Sequence, residues 1–337
     1  MIRQAHTRHQ TLLLTQRDVA ALVDVRVAIR VVREAFKAMA RGEATMPSKV
    51  YLTLPHDSDF RAMPAYLQHP AACGMKWVNV HPHNPAHGLP TVMAMILLND
   101  PVTGIPLAVM DGLLITKLRT AAAAAVAADV LARRDSRTVG LIGCGAQADA
   151  QLLALAAVRR ISHVKVWGFR RGEAARFAQR MRRQMPRVVF EPVTSIERCV
   201  RGVDILVTIT PSHRPLVKRA WVAPGTHINA IGADAPGKQE LDPKILQAAT
   251  VVVDEIEQAL HGGEINVAIS RGQFHRRDIH ATLGKILIGR SRGRRTRQEI
   301  TIFDSTGLAI HDIALAAEVF RRAVQRGMGK RLKFFSR

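Results

Sequence analysis

Short, nearly continuous apolar runs recur along the second half of the chain. The first few of these runs are separated by segments with helical periodicity. Apolar runs of three to five residues predict strands buried on both faces, and intervening helices predict a parallel, doubly wound sheet. The runs lie at residues 138–142, 164–167, 188–190, 204–208, 227–231 and 250–253. This region is therefore predicted to be an α/β domain.

The first part of the chain has a different pattern. Residues 24–41 have apolar side chains at helical spacing, with Asp24 as the predicted N-cap and Gly42 after the last turn. The apolar positions of this helix are Val27, Val31, Ala35 and Met39. Strand-like segments follow at residues 50–54, 75–80, 92–98 and 106–110, with a hairpin turn predicted at 99–104. The block is therefore predicted to be rich in β-structure.

Two further helices are predicted outside these regions. Residues 116–132 are dense in alanine, as expected of a helix that packs closely beneath a sheet, and they are predicted to carry the crossover between domains. Residues 307–325 form the last helical pattern, with apolar Leu308, Ile313 and Val319 among its positions.

The apolar run at 138–142 breaks into a glycine turn before helical periodicity resumes. Gly143 permits the sharp turn, Gly145 leaves no side chain between the backbone and a pyrophosphate, and Ala148 is the third small residue. The pattern Gly-x-Gly-x-x-Ala after a strand and before a helix indicates a dinucleotide-binding turn. Ala146 and Gln147 complete the predicted cofactor contacts at this helix N-terminus.

Composition places the chain among cytoplasmic enzymes. Its 337 residues are enough for about two domains. Three scattered cysteines, Cys73, Cys144 and Cys199, provide neither a disulfide framework nor zinc-binding spacing, so we expect no metal site. No signal peptide or membrane span is recognised, so we expect no membrane partner.

The formal charge of +22 raises the question of nucleic-acid binding. The basic groups are spread along the chain and are densest at residues 180–183, 290–297 and 330–337, whereas aromatic residues make up only 4%. No known nucleic-acid motif is present, and charge alone predicts only non-specific binding. A solvated basic surface that attracts anionic substrates is the favoured interpretation, with no specific nucleic-acid partner.

Ordered motifs along nearly the whole chain resemble those of the ornithine cyclodeaminase and mu-crystallin family, which includes alanine dehydrogenases and cyclic ketimine reductases. Besides the glycine turn, the motifs lie at residues 46–49, 63–66, 74–79, 88–91, 110–112, 116–121, 232–241 and 303–307. The resemblance implies a Rossmann domain at 119–306. This domain would be inserted into a smaller α+β domain for substrate binding and homodimer formation, at 1–118 and completed by 307–337.

The resemblance also indicates which residues to test as ligands of a substrate carboxylate. Arg119, at the start of the alanine-rich helix, matches the family's carboxylate-binding arginine, and guanidinium binds carboxylate with two hydrogen bonds. Lys76 lies in an apolar strand and is predicted to be a ligand and catalytic residue, with an internal salt bridge as the alternative. Lys49 is the third candidate, with an exposed lysine at a strand end as the alternative.

Asp234 follows the strand at 227–231, at the edge of an open α/β sheet where ligands bind. The resemblance implies that it transfers a proton at the reacting nitrogen or carbon. The alternative is an aspartate that caps the next turn. Glu240 and Asp254 are interpreted as structural.

The second Rossmann strand ends in Trp167–Arg171 without a carboxylate. An acidic residue there favours NAD, whereas arginine favours the 2′-phosphate of NADP. NADP is therefore the predicted cofactor, with NAD possible, and Arg170 and then Arg171 are the predicted phosphate ligands, the alternative being an exposed arginine pair. By resemblance, further cofactor contacts are expected from Thr208, Thr210, Ser212, Gly232 and Asp304.

Arg61 departs from the cyclodeaminase pattern, which has a glutamate there to bind the terminal amine of ornithine. A cation at this position repels a second substrate ammonium, so little ornithine turnover is expected unless another carboxylate such as Asp59 takes its place.

The predicted function is an NAD(P)H-dependent oxidoreductase that acts on the carbon–nitrogen bond of a small amino acid or cyclic imino acid. Reduction of a C=N bond beside a carboxylate is the favoured direction, with alanine dehydrogenation as the same chemistry on a linear imine. Cyclodeamination with bound NAD is one alternative, and a mu-crystallin-like binding protein is another.

Overall fold

The computed structural model describes residues 10–334, which divide into two compact units. Unit 1 contains the described residues up to Arg119 and those from Leu308 onward, and unit 2 contains Thr120–Gly307. Residues 1–9 and 335–337, which belong to the predicted first domain and include the end of the basic 330–337 tail, lie outside the described residues.

Unit 1 contains one sheet and three helices. Its strands are β1 Thr11–Leu14, β2 Ala44–Thr45, β3 Val50–Leu54, β4 Ser58–Leu67, β5 Ala72–Val80, β6 Val92–Asn99, β7 Pro106–Asp111 and β16 Lys330–Leu332. Its helices are α1 Gln16–Leu22, α2 Val25–Arg41 and α11 Ala309–Arg326. The sheet order is β16-β1-β7-β6-β5-β4-β2, with β3 also paired to β4. Helix α11 packs against α2 and against β4, β5 and β6.

Strand β4 is absent from the sequence prediction because Pro64 and two charged residues interrupt its pattern. Pro64 has no N–H to donate, which argues against a strand interior. In the structure, residues 59–67 of β4 pair with β5 on one side. On its other side β3 pairs with residues 58–62 and β2 with residues 66–67, so Pro64 lies in the gap between them.

Helix α2 has the predicted ends and a shifted buried face. The Asp24 side chain accepts from Val27 N, and Gly42 adopts the left-handed conformation after the last turn. Of the four apolar positions named from the sequence, Ala35 is buried, and Val27, Val31 and Met39 are partly buried. The fully packed positions are Ala28, Val32, Ala35, Phe36 and Ala38. The neighbouring positions are also apolar, so periodicity alone leaves the face ambiguous by one residue.

Unit 2 contains a fully parallel sheet. Its strands are β8 Thr138–Ile142, β9 His163–Trp167, β10 Val189–Pro192, β11 Ile205–Thr208, β12 His227–Ala230, β13 Thr250–Val253, β14 Ala281–Thr282 and β15 Thr301–Asp304. Helix α3, Leu113–Leu131, begins before the unit boundary. The other helices are α4 Ala148–Val158, α5 Glu173–Gln184, α6 Ile196–Val200, α7 Pro243–Ala248, α8 Ile256–Gly262, α9 Asn266–Ser270 and α10 Leu283–Leu287.

The strand order of unit 2 is β10-β9-β8-β11-β12-β15-β13-β14. Its first five members have the Rossmann order, which confirms the predicted α/β class. The sequence pattern does not reveal β15, which comes last in the chain and lies between β12 and β13.

Small side chains allow α3 to pack closely. Each of residues 121–128 is at most 2% exposed. Ala124 and Ala128 belong to the same core cluster as Val139 and Leu141 of β8.

Candidate active site

Unit 1 contains a buried ion cluster centred on Asp312 of α11. Lys76 Nζ of β5 lies 2.9 Å from Asp312 Oδ2, and Arg119 Nε of α3 lies 3.1 Å from Oδ1. Lys76 is 1% exposed, Arg119 6% and Asp312 0%. Two predicted substrate ligands are thus brought together on one carboxylate. The salt bridge that was the alternative for Lys76 is present.

The cluster contains more positive than negative charge. Burial, with a further contribution from Arg119, lowers the pKa of Lys76 to about 7, and Asp312 only partly opposes this shift. The charge of Lys49, which is half-buried, lowers the same pKa further. Although burial opposes it, the two cations hold the pKa of Asp312 below its usual value. A single carboxylate facing three cations leaves the site able to bind a further anion.

His311 and Asp312 were missed by the sequence analysis. Both fall on the buried face of α11, three or four residues from Leu308 and Leu315. Polar residues on an otherwise apolar helical stripe are the signal that identifies them. Neither ring nitrogen of His311 has a hydrogen-bond partner within residues 10–334. Burial, together with Arg119, lowers the pKa of His311 to about 3, so its ring is neutral near pH 7.

Arg61 is part of a closed pair on β4. Its Nε and one terminal nitrogen donate to the two oxygens of Asp59 at 2.8 and 2.9 Å, and its guanidinium carbon lies 5.3 Å from the Tyr51 ring centre. Arg61 is 7% exposed. Asp59, the carboxylate considered as a substitute for the cyclodeaminase glutamate, is therefore engaged with Arg61.

The glycine turn of unit 2 has the geometry that dinucleotide binding requires. Gly143 is buried at φ +112°, where a Cβ would lie 2.6 Å from Ile209 O. Gly145 and Ala146 are exposed, and a Cβ on Gly145 would meet no atom within 4 Å. Gln147 Oε1 is buried and accepts no hydrogen bond within the described chain. The open space over Gly145, beside the backbone N–H groups at the start of α4, fits the pyrophosphate of a bound dinucleotide.

Arg170 and Arg171 follow β9 and are exposed. No carboxylate directly follows this strand, and the nearest one is Glu173, the first residue of α5. Glu173 Oε2 accepts from Arg170 N at 3.2 Å, and its side chain would contact a Cβ at Gly168. The Glu173 carboxylate is thus used to hold the loop that carries both arginines.

Buried carboxylates connect the loops that follow β11, β12 and β15. Glu240 accepts from Thr210 N and from Gly232 N at 2.7 and 3.0 Å. Glu264, which the sequence analysis did not single out, accepts from Glu240 N and Leu241 N at 2.8 and 2.6 Å. Asp304 in turn accepts from Glu264 N at 2.9 Å. The structural interpretation of Glu240 agrees with these contacts.

Burial dominates the titration of this carboxylate network. It raises the pKa of Glu240 to about 7 and that of Asp304 to about 8. It also raises the pKa of Glu264, with a further contribution from the charge of Glu240. Both oxygens of Asp304 accept backbone hydrogen bonds, from Glu264 and Ile265. Its contact with cofactor stays a prediction.

The remaining predicted residues lie in loops after the parallel strands. Asp234 follows β12, and its Oδ1 lies 2.6 Å from Lys238 Nζ. The Ser212 hydroxyl donates to Arg214 O at 2.7 Å, and Thr208 is fully buried at the end of β11. Asp254 accepts from Thr306 N and Gly307 N at 2.6 and 2.9 Å, in agreement with its structural interpretation.

Residues 10–334 contain neither a metal-binding cluster nor a membrane-spanning helix. No cluster of three or more His, Cys, Asp or Glu side chains has metal-binding geometry there. No helix in the same range has the length and apolar character needed to cross a bilayer.

Comparison with known proteins identifies similar chains over almost the full length. The profile of the ornithine cyclodeaminase/mu-crystallin family matches residues 9–327. Alanine dehydrogenase of Archaeoglobus fulgidus is 51% identical over 97% of this chain and 99% of its own.

Two solved structures extend the comparison. An archaeal alanine dehydrogenase dimer with bound NAD has a TM-score of 0.93 at 50% identity, covering 97% of this chain and all of its own. Thermococcus litoralis Delta(1)-pyrroline-2-carboxylate reductase, in complex with NADH and L-proline, has a TM-score of 0.93 at 36% identity, covering 96% and 100%. These matches confirm the family resemblance drawn from the motifs.

Proposed function

The chain belongs to the ornithine cyclodeaminase/mu-crystallin family, and from that membership we propose its substrate, its cofactor preference and the roles of its residues. It is an oxidoreductase of carbon–nitrogen bonds that uses a nicotinamide dinucleotide. The substrate class is a small 2-imino acid, formed either from pyruvate and ammonia or as a five- or six-membered cyclic imine. The 51% identity to an alanine dehydrogenase favours the linear imine.

One observation carries the substrate class: Lys76 and Arg119 share the single carboxylate of Asp312, with Lys49 close enough to lower the pKa of Lys76. A substrate carboxylate supplies the missing negative charge. Arg119 and Lys76 bind and orient it, and Lys49 adds to the attraction. Neutral His311 is available to donate or accept one hydrogen bond at the same cluster.

Gly143, Gly145, Ala146 and Gln147 would hold the pyrophosphate of the dinucleotide, whose reduced nicotinamide supplies a hydride to the imine carbon. Asp234 holds the proton that the substrate nitrogen gains when the C=N bond becomes C–N. Lys238 keeps the Asp234 carboxylate oriented through their 2.6 Å ion pair. Glu240 and Glu264 position the loops that carry Thr210 and Gly232.

The test follows dinucleotide absorbance with purified protein and three substrates: pyruvate with ammonia, pyrroline-2-carboxylate and piperideine-2-carboxylate. Oxidation of NADH or NADPH with any of them supports the reductase proposal. Arg119→Ala is expected to raise KM for the imine at least about tenfold while dinucleotide affinity stays unchanged. Conversion of ornithine to proline and ammonia without net redox change would instead indicate cyclodeamination, and dinucleotide binding without turnover would indicate a binding protein.

We further propose a preference for NADPH over NADH, which rests on exposed Arg170 and Arg171 and on the engagement of Glu173 within the loop. The two arginines would bind the 2′-phosphate. Arg170→Ser/Arg171→Ser is expected to lower the kcat/KM ratio of NADPH to NADH at least about tenfold. Arg187→Ser, an exposed arginine elsewhere in unit 2, is the control. A wild-type ratio below one would refute the preference.

We also propose that the chain is a homodimer through the sheet of unit 1. Val50 and Leu52 of β3 are 64% and 54% exposed, and Met95 of β6 is 58% exposed. Exposed apolar side chains on a sheet are typical of an interface. Leu52→Glu is expected to shift the mass measured by light scattering toward that of a monomer, whereas Leu89→Glu, at another exposed leucine, leaves it unchanged.

A further inference from the structure

A cleft at the amino-terminal edge of the unit 2 sheet has no role in the proposed reaction. It has a volume of about 380 Å³. Its walls are the loop between α3 and β8 and the end of α4 with the loop that follows. The lining residues are Arg134, Asp135, Ser136, Arg137, Ala156, Ala157, Val158, Arg159 and Arg160. Because the glycine turn follows the carboxyl end of β8, this cleft lies at the opposite edge of the same sheet.

The backbone of the cleft is firmly held. Ser162 N donates to Arg137 O at 2.9 Å, which joins the two loops. Arg137 N donates to Asp204 Oδ2 at 2.8 Å. The Arg159 guanidinium donates to Asp129 Oδ1 at 3.0 Å and to the carbonyls of Ala128 and Asp129 at 2.9 Å each. Arg159 is thus used to hold α4 against the end of α3.

Three other arginines of the cleft have side chains without hydrogen bonds or ion pairs in the described part of the chain. The side chains of Arg134, Arg137 and Arg160 are exposed and make no hydrogen bond or ion pair within residues 10–334. The one carboxylate of the lining, Asp135, lies 2.6 Å from Arg297 and 3.7 Å from Arg133. Its charge is therefore already compensated from outside the cleft.

Ser136 is a buried polar residue in the wall of the cleft. It is 1% exposed, and its Oγ has no hydrogen-bond partner in the described chain. A buried hydroxyl that stays unsatisfied costs free energy, and the Ser136 Oγ retains the capacity to donate one hydrogen bond to a molecule bound in the cleft. A hydroxyl among guanidinium groups is suited to a phosphate oxygen.

We propose that this cleft binds a small phosphate-bearing anion, of diphosphate to nucleotide size, separately from the dinucleotide of the reaction. The volume is at the lower end for small-molecule sites and exceeds what one phosphate requires. The three free guanidinium groups bind the phosphate oxygens, and Ser136 Oγ donates to one of them. The cleft is confined to two loops and the end of α4, which favours a compact anion over the extended backbone of a nucleic acid.

The experiment measures binding of inorganic pyrophosphate by calorimetry to the full chain saturated with NADPH, so that the dinucleotide turn and the proposed 2′-phosphate ligands Arg170 and Arg171 are all occupied. The wild type is expected to bind one pyrophosphate per chain at this cleft. The triple variant Arg134→Gln/Arg137→Gln/Arg160→Gln is expected to lose affinity at least about tenfold. The matched control, Arg183→Gln/Arg187→Gln/Arg277→Gln, removes the same charge from exposed, unpaired arginines of unit 2 outside the cleft. It is expected to keep wild-type affinity.

A variant without charge change tests the cleft further. Ser136→Ala is expected to lower pyrophosphate affinity severalfold, because one hydrogen bond to a charged oxygen is lost. Equal losses of pyrophosphate affinity in the two triple variants would overturn the proposal, because binding would then depend on the total charge and not on this cleft. So would an absence of pyrophosphate binding in a wild type that binds duplex DNA through the same arginines. Dinucleotide affinity and turnover report separately on the proposed function.

Discussion

The single carboxylate of Asp312 compensates the two buried cations, Lys76 and Arg119. Both the fold of unit 1 and the candidate site therefore depend on this residue. Without it, Lys76 and Arg119 would be buried next to each other with no negative partner. Removing one member of a buried ion cluster costs far more than removing an exposed pair, because the remaining charges stay desolvated.

Asp312→Asn is therefore expected to lower the free energy of unfolding by about 3–5 kcal/mol. The measurement is urea unfolding near neutral pH. Glu34→Gln is the control, because it breaks the exposed pair with Lys37, and such pairs contribute about 1 kcal/mol or less. Unfolding midpoints that match in the two variants would contradict the expectation.

Lys76 makes carboxylate binding depend on pH near neutrality. Its pKa of about 7 in the free protein means that the ammonium is charged below that pH and loses its proton above it. Affinity for a carboxylate should thus fall as pH rises through about 7. A suitable probe is tetrahydrofuran-2-carboxylate, a proline analogue without a titrating nitrogen. Its inhibition constant is expected to rise with pH in the wild type and to stay flat in Lys76→Arg, which remains charged. A flat wild-type profile would mean that Lys76 does not titrate in this range.

Glu264 supports the loop after β12 through two backbone hydrogen bonds. Glu264→Ala leaves the N–H groups of Glu240 and Leu241 without that acceptor, at about 1–3 kcal/mol each. We expect a lower melting temperature together with weaker dinucleotide binding, measured by fluorescence titration. Glu264→Gln retains one acceptor oxygen and is expected to recover much of both. Weaker folding with unchanged dinucleotide affinity would show that the residue does not position the cofactor loops.

At the scale of elements, the two glycines of the glycine turn have different roles, Gly143 in folding and Gly145 in dinucleotide binding. Gly143→Ala is expected to destabilise the protein, because its positive φ and the 2.6 Å approach to Ile209 O leave no room for a Cβ. Gly145→Ala has open space around its Cβ and is expected to fold normally. It should nevertheless lose dinucleotide affinity, since the methyl group occupies the pyrophosphate position. Melting curves and NADH titrations of the two variants make the comparison. Unimpaired dinucleotide binding in Gly145→Ala would show that the pyrophosphate does not bind at this turn.

Helix α3 is packed to its limit by alanine. Ala124→Leu is expected to cost about 1–3 kcal/mol of stability or more, because three added carbons meet Val139 and Leu141 in a filled core. Urea unfolding would measure this loss. Ala156→Leu, on the exposed face of α4, adds the same volume and is expected to change little.

The sequence predicts elements well where the pattern is local and less well where it depends on neighbours. The caps of α2, the glycine turn and strands β8 to β13 follow from periodicity and turn residues. Of these strands, β10 lies at the edge of the sheet, where Val189 is 61% exposed. Strand β4 could not be predicted in this way. Pro64 is compatible with this strand only because it lies in the gap between the residues that pair with β3 and those that pair with β2. Lys76 and Arg119 could be identified from the sequence, whereas the carboxylate that joins them lies almost two hundred residues away from Arg119 in the chain. Such a pairing requires the fold.

At the scale of the whole molecule, the excess of basic residues has a kinetic consequence. A formal charge of +22 attracts carboxylates and dinucleotides from solution over about a Debye length. The association rate of NADH, measured by stopped flow, is expected to fall severalfold between about 10 and 500 mM salt, with a much smaller change in dissociation rate. An association rate independent of salt would indicate that the charge is too evenly spread to steer ligands.

Part of the basic loop at 290–297 has a structural explanation that the sequence did not reveal. Arg294 donates to Leu131 O and to Thr301 Oγ1 at 2.6 and 2.9 Å, and Arg295 and Arg297 form ion pairs with Glu299 and Asp135. The charge here holds the loop to its own unit.

The position of β15 has a consequence for synthesis on the ribosome. Because β15 lies between β12 and β13, the earlier strands wait with an open edge until residues 301–304 have left the exit tunnel. Unit 1 waits for the same stretch, since α11 and β16 follow immediately. Neither unit is completed while the chain is still short. A nascent chain stalled at residue 300 would therefore expose strand edges in both units, and the emergence of residues 301–332 becomes the step that commits the two units to their native state.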